Sequence, residues 1–227
     1  MRFPDRRVVL SEATATTTET GRTYGVPGSF GSPVTGWYNY PSITTILGND
    51  PSKRRALVAW RARVGAEVAD ARSKRASSRG TAVHSLMEKY VLGEDVEVPT
   101  NPVRATAFRN LSATLDANLE EVYSVECALY SHLLEAAGRC DLVGKWAGRR
   151  AVIDFKTADH EKDEDDIVDY FLQTTAYAVM FEERTGMRIP GVVVVIACDS
   201  GATQVFMRSA SKYYARMIEA VETRRPR

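Results

Sequence analysis

A chain of 227 residues, 44% hydrophobic, can bury one substantial core with an accessory subdomain and needs no covalent staples. Its three cysteines, Cys127, Cys140 and Cys198, are too few and too scattered for a disulfide framework or a four-cysteine metal site, so a reducing compartment fits best. A net charge of +1 argues by itself against a nucleic-acid partner, yet the charge is uneven: residues 51–80 hold nine lysines and arginines against Glu67 and Asp70, and residues 151–170 hold eight acids against Lys156 and Lys162.

The chain lacks the roughly 18-residue apolar run of a transmembrane helix. Near the N-terminus Arg2, Arg6 and Arg7 are accompanied by Asp5, Glu12 and Glu19, with no apolar signal core. A cytoplasmic protein of a bacterium or a phage-infected cell is expected. Residues 1–36, with a Thr-rich stretch from Thr14 to Thr20 and many glycines and prolines, read as an irregular arm or irregular strands.

Trp37 to Tyr40 lead into Pro41-Ser42, where Ser42 can cap a short helix through Leu47. Pro51 to Ser77 reads as a helix with Leu57, Trp60 and Val64 on one face, broken at Arg79-Gly80. Its charge is either a solvated face or a phosphate grip. A second helix is expected from Thr81 to Leu92, ending near Gly93, with His84 and Glu88 on the same face. A third runs from Val103 to Glu121, its stripe of Ala107, Leu111, Leu115 and Leu119 explained by core packing.

Val122 to Tyr130 alternates as a strand, and a turn follows around Ser131–Ala137. Gly138 to Thr157 then reads as a β-hairpin: Arg139–Val143 and Ala151–Lys156 are short apolar-rich runs, with Gly144 to Arg150 as the turn. In a strand, residues two apart face the same way, so Asp154 and Lys156 project together while Ile153 and Phe155 turn to the other side. Asp141 on the neighbouring strand can bring a second carboxylate to the same place. Two carboxylates held together repel and are most easily kept ionised by a divalent cation, and a cation with a lysine is a phosphodiester-cleaving arrangement.

Asp159 to Asp169 reads as a solvated acidic loop. The helix from Ile167 to Thr185 places Gln173 and Tyr177 one turn apart, toward the hairpin. Gly191 to Ala197 is a continuous apolar run and reads as a buried strand, Gln204 to Met207 as its neighbour, and Lys212 to Glu222 as a closing helix.

Gly138-x-x-Asp141, a turn, then Ile153-Asp154-Phe155-Lys156-Thr157 resembles the core of the PD-(D/E)XK nuclease superfamily. Gly80-Thr81-x-x-His84 and Gln173-x-x-x-Tyr177 resemble the helices of RecB-type nuclease domains, in the same order along the chain. With Tyr40–Leu47 upstream and Val125-Glu126 through Ser131 before the hairpin, residues 40–215 look most like the mitochondrial genome maintenance exonuclease group and its phage relatives.

The resemblance implies a restriction-endonuclease-like α/β core, a central mixed sheet flanked by helices, with a helical N-terminal subdomain. The expected division is an arm at 1–36, a helical substrate-gripping segment at 37–121, and a nuclease core at 122–227 integrated with 81–121. It implies a metal-dependent DNA exonuclease acting on single-stranded ends in DNA processing, recombination or repair; a non-catalytic nuclease-fold binding module and a structure-specific endonuclease are the alternatives. Lys156, Asp154, Asp141, Gln173, Tyr177 and Glu126 are the expected catalytic set. Mg²⁺ or Mn²⁺ is expected on His84, Asp141, Asp154 and Phe155, the last through its carbonyl, with the imidazole leaning toward Mn²⁺. An iron–sulfur cluster of the kind found in some RecB-like exonucleases is not expected, because four thiolates are lacking. Expected nucleic-acid contacts are Trp37, Tyr40, Ser42, Lys53, Arg54, Arg55, Arg79, Thr81, Ser131 and Thr157. His84 as a core histidine, and Glu126 as a rim salt bridge, are the competing readings of those two residues.

Overall fold

The computed structural model describes residues 2–8, 10, 13–18, 21–28 and 36–226. Glu12, Glu19 and Thr20, with much of the stretch before Trp37, lie outside the described residues.

A five-stranded mixed sheet carries the fold. Its strands are β4 (Leu119–Ser131), β5 (Ala136–Trp146), β6 (Arg149–Ala158), β7 (Gly191–Cys198) and β8 (Thr203–Ser209), in the order β4-β5-β6-β7-β8. All neighbours are antiparallel except β6 and β7, which run parallel and are joined through helix α5 (Val168–Thr185). That crossover is the reason β7 is buried along its whole length and lacks alternation. Helices α3 (Ala66–Leu92) and α4 (Pro102–Asn118) cover one face of the sheet, where Val83, Met87, Leu111 and Leu115 pack on Leu142, Ile153 and Val193. Helices α1 (Ile43–Gly48), α5 and α6 (Tyr214–Arg224) cover the other, where Ile46, Phe171, Met180 and Met217 meet Val143, Val152 and Val194. Among the described residues no helix is long and apolar enough to cross a membrane.

Three elements differ from the sequence-based expectation. The arm contains ordered strands: β1 (Thr14–Thr18) and β2 (Gly21–Pro27) join β3 (Trp37–Pro41) in a separate antiparallel sheet, and β3 leads into the Ser42-capped helix α1. Tyr24, Val26 and Tyr40 seat that sheet on Tyr130 and Ala137.

The helical break falls at Gly65 instead of Gly80. Gly65 adopts φ 87°, a left-handed value open to glycine, and separates α2 (Pro51–Val64) from α3. A glycine inside a helix costs about 1 kcal/mol relative to alanine. Burial of Val83, Met87 and Val91 just beyond Gly80 outweighs that cost and carries α3 through it. None of the residues of α2 is buried: Leu57 and Val58 face solvent, and the Leu57, Trp60, Val64 stripe has no core beneath it.

The third difference is the hairpin turn, which shrinks to Ala147-Gly148 with φ 44° and 81°, the two-residue turn whose twist matches its flanking strands. The polar residues Lys145, Arg149 and Arg150 continue the ladder up to it.

Candidate active site

The β5/β6 ladder ends at the pair Leu142–Ile153, and the polar residues gather where the two strands part. Asp141 replaces the missing backbone partner: its Oδ2 accepts from the Phe155 N–H at 2.8 Å. Its Oδ1 lies 3.2 Å from His84 Nδ1, which α3 brings over the sheet. Burial pulls the His84 pKa down, but the hydrogen bond to Asp141 and the charges of Asp141 and Asp154 outweigh it, and the net shift is upward.

Glu126 completes the group from β4. It sits in mid-strand with φ 46°, a left-handed conformation that costs a non-glycine residue on the order of 1–2 kcal/mol and persists only where the surroundings hold it. Its Oε1 is 4.0 Å from His84 Nδ1, and its Oε2 is 2.8 Å from Arg139 Nε. His84, Glu126 and Asp141 thus offer one ligand atom each, all within 4.8 Å of one another. Two carboxylates and an imidazole suit Mn²⁺ or Mg²⁺. Burial and the charge of Asp141 raise the Glu126 pKa, so the cluster holds negative charge at a cost that a cation would remove.

Asp154 is 2% exposed and faces Lys156, whose ammonium pairs with its Oδ2. Burial, opposed by Lys156 and reinforced by Asp141, pushes the Asp154 carboxyl up to about 6. Burial also works against the Lys156 charge, but the two aspartates prevail and its pKa moves up. The Tyr170 ring lies 5.2 Å from the Lys156 nitrogen.

Gln173 and Tyr177 reach this place from α5. Gln173 Nε2 donates to the Tyr177 hydroxyl at 3.1 Å and to Thr44 Oγ1 at 3.2 Å, tying α5 to α1. Tyr177 is buried against Gly138 at the head of β5.

These residues line a cavity of about 740 Å³. Its floor is β4, β5 and β6. One wall is α3, through Gly80, Thr81, Ser85 and Glu88; the other is β2 and α1, through Arg22, Tyr24, Ser42, Thr44 and Thr45. Ser42 is both wall and cap, its Oγ accepting from Thr45 N at 3.0 Å.

The expected nucleic-acid contacts divide in space. Thr81 and Ser42 line the cavity, Trp37 is 64% exposed on β3, and Arg54 and Arg55 are exposed on α2. Lys53 is paired with Asp169 and Arg79 with Asp199. Thr157 is half-buried and lines a small cleft beside Arg79. Tyr40 is largely buried, its hydroxyl 2.8 Å from His132 Nδ1. Ser131 corrects the expectation: it is fully buried and its Oγ accepts from Leu134 N at 2.9 Å, which closes the β4–β5 turn. Of Phe155, the backbone N–H is the group that meets Asp141, and its ring packs edge-on to His84.

Arg139, Arg22, Thr44 and Ser85 line the cavity without having been singled out in the sequence. Arg139 had a signal, standing two residues before Asp141 and so on its face. Arg22 had none, because only the packing of the small sheet brings it near.

Residues 104–225 match the sequence profile of the PD-(D/E)XK nuclease superfamily. No curated protein matches the chain. Among solved structures, that of a candidate exonuclease from Eubacterium rectale is similar at a TM-score of 0.40 and 12% identity, covering 65% of this chain and 69% of that one.

Proposed function

The chain belongs to the PD-(D/E)XK nuclease superfamily, and we propose that it is a divalent-metal-dependent DNA exonuclease acting on single-stranded ends, in DNA processing, recombination or repair. The observation that carries the catalytic reading is the convergence of Asp141, Glu126 and His84 beside the Asp154–Lys156 pair in one cavity. A bound Mg²⁺ or Mn²⁺ would be held by His84, Glu126 and Asp141 with Asp154 alongside, and would supply Lewis acidity toward a phosphoryl oxygen and toward water.

The chain's own groups do the rest. The two aspartates favour the charged form of Lys156, whose Nζ–H is placed to donate to phosphoryl charge. Asp154 fixes that ammonium in place. Gln173 holds the Tyr177 hydroxyl and Thr44 in register, which keeps the cavity wall and β5 at constant separation.

The end-directed reading rests on the resemblance to the exonuclease group and on the arrangement around the cavity. The small sheet with α1 stands on one side of the cavity and α3 on the other, and both the cations of α2 and the Trp37 ring are exposed. Aromatic faces stack on bases of any sequence, for roughly 1–3 kcal/mol each, while lysines and arginines follow the phosphates. A strand threaded between such walls must have an end. Linear single-stranded DNA is therefore expected to be degraded with Mn²⁺ or Mg²⁺ and circular single-stranded DNA to survive, the rate falling steeply with salt. Rapid cutting of circles would make the protein an endonuclease and remove the threading.

A further inference from the structure

We propose that Arg139 is a phosphate-binding residue of this site, a second cation that grips the nucleic-acid strand beside Lys156; this rests on the nuclease reading. Each strand of the hairpin carries an acid and a cation two residues apart: Arg139 and Asp141 on β5, Asp154 and Lys156 on β6. The strands are antiparallel, and their ladder ends at Leu142–Ile153. Beyond that pair the strands part, and the Asp141 carboxylate takes up the Phe155 N–H. Arg139, Asp141, Asp154 and Lys156 all line the one cavity, so both cations stand in it with the carboxylates. Arg139 enters it with a side chain that is 58% exposed.

The two cations are held differently. Lys156 is buried against Asp154. Arg139 is tied through one nitrogen: its Nε contacts the Glu126 carboxylate at 2.8 Å and donates to the Glu126 carbonyl at 3.1 Å. Anchoring a guanidinium by Nε fixes its plane and leaves the two terminal nitrogens as a fork, the geometry that matches two oxygens of a phosphodiester. The left-handed backbone of Glu126 turns both its carbonyl and its carboxylate to this one arginine. A chain using Glu126 only as a cation ligand has no need of that double contact.

The test uses the full chain with Arg139→Gln and Arg139→Lys, each checked by thermal melting. Binding of a short fluorescent single-stranded oligonucleotide is followed by anisotropy in Ca²⁺ across a salt series, and Mn²⁺ uptake is followed by calorimetry without oligonucleotide. Arg139→Gln is expected to weaken oligonucleotide binding about tenfold and to lower the log–log salt slope by about 0.7, the loss of one phosphate contact. Its Mn²⁺ affinity should hold or tighten, because Glu126 loses a competing cation. Arg139→Lys should restore the slope but only part of the affinity, since an ammonium lacks the fork. An unchanged slope in Arg139→Gln, with or without weakened Mn²⁺ uptake, would leave Arg139 as a support for Glu126 and overturn the inference. Should the unmodified protein bind neither DNA nor RNA, the nuclease reading itself fails, and the inference with it.

Discussion

Gly138 and Tyr177 are in such close contact that a Cβ on the glycine would stand 2.6 Å from the ring's Cε1 and 2.9 Å from its hydroxyl oxygen. The ring is buried and its hydroxyl is held by Gln173, so it cannot simply swing aside. Gly138→Ala should therefore destabilise the fold by about 1–3 kcal/mol, the usual cost of overpacking, and displace the Gln173–Tyr177 pair. Chemical denaturation with a nuclease assay on the same samples checks it; an unperturbed melt with full activity would mean that α5 yields freely.

Lys156→Ala should lower turnover by about 10²–10³-fold, the range for removing one preorganised donor of charge stabilisation. Mn²⁺ binding by calorimetry should be equal or tighter, because Asp154 is released from its ion pair. Unaltered cleavage in this variant would remove the central catalytic assignment.

The buried carboxyls give a pH signature. Asp154 is raised from 3.8 to about 6 in the folded chain, so the folded state retains a proton that the unfolded state has released. Its contribution to stability is fully present below 3.8 and is lost as pH rises through about 6; Glu126 is raised too and acts in the same sense. A bound cation favours the ionised forms. The gap in melting temperature between Mn²⁺-loaded and chelated protein should then widen as pH rises through this window. Parallel curves would separate these two carboxyls from cation binding.

Gly80 lies inside α3 on the cavity wall, and a Cβ there would meet only Thr157 Oγ1, at 4.0 Å. Among the described residues nothing requires a glycine at that point. Gly80→Ala should stabilise the helix by roughly 0.5–1 kcal/mol while narrowing the cavity, raising KM for an oligonucleotide more than it lowers kcat. A variant that is more stable and kinetically unchanged would show that the room at Gly80 goes unused.

The parts of this molecule that were legible in the sequence are those whose side chains alternate or repeat against a core. The β5/β6 hairpin, α5 and the apolar β7 were readable for that reason, as was the Ser42 cap, which depends on its own helix alone. The strand β1 was not, because all five of its residues are exposed and alternation has nothing to report. Asp141, Asp154 and Lys156 followed from the period of a strand. Glu126 did not follow from any period, because a left-handed residue interrupts the alternation that would have placed it. The wall formed by Arg22 and Thr45 depends on the small sheet docking more than twenty residues away in sequence, through Arg22 N and Thr45 Oγ1 at 3.2 Å. Local patterns hold no trace of it.

Helix α2 buries no residue, and its foot is fixed by polar contacts: Asp50 caps it through the Ser52 N–H at 2.8 Å and pairs with Arg224 of α6 at 2.8 Å. Folding and surface chemistry are thereby uncoupled along this helix. The core constrains where α2 begins, through Asp50, and Gly65 sets where it ends; between them Lys53 and Arg61 are held by ion pairs with Asp169 and Asp70, not by a core. Its exposed cations Arg54 and Arg55 can be exchanged for other groups with no repacking of the core, so the surface charge of this helix can change while the fold stays the same.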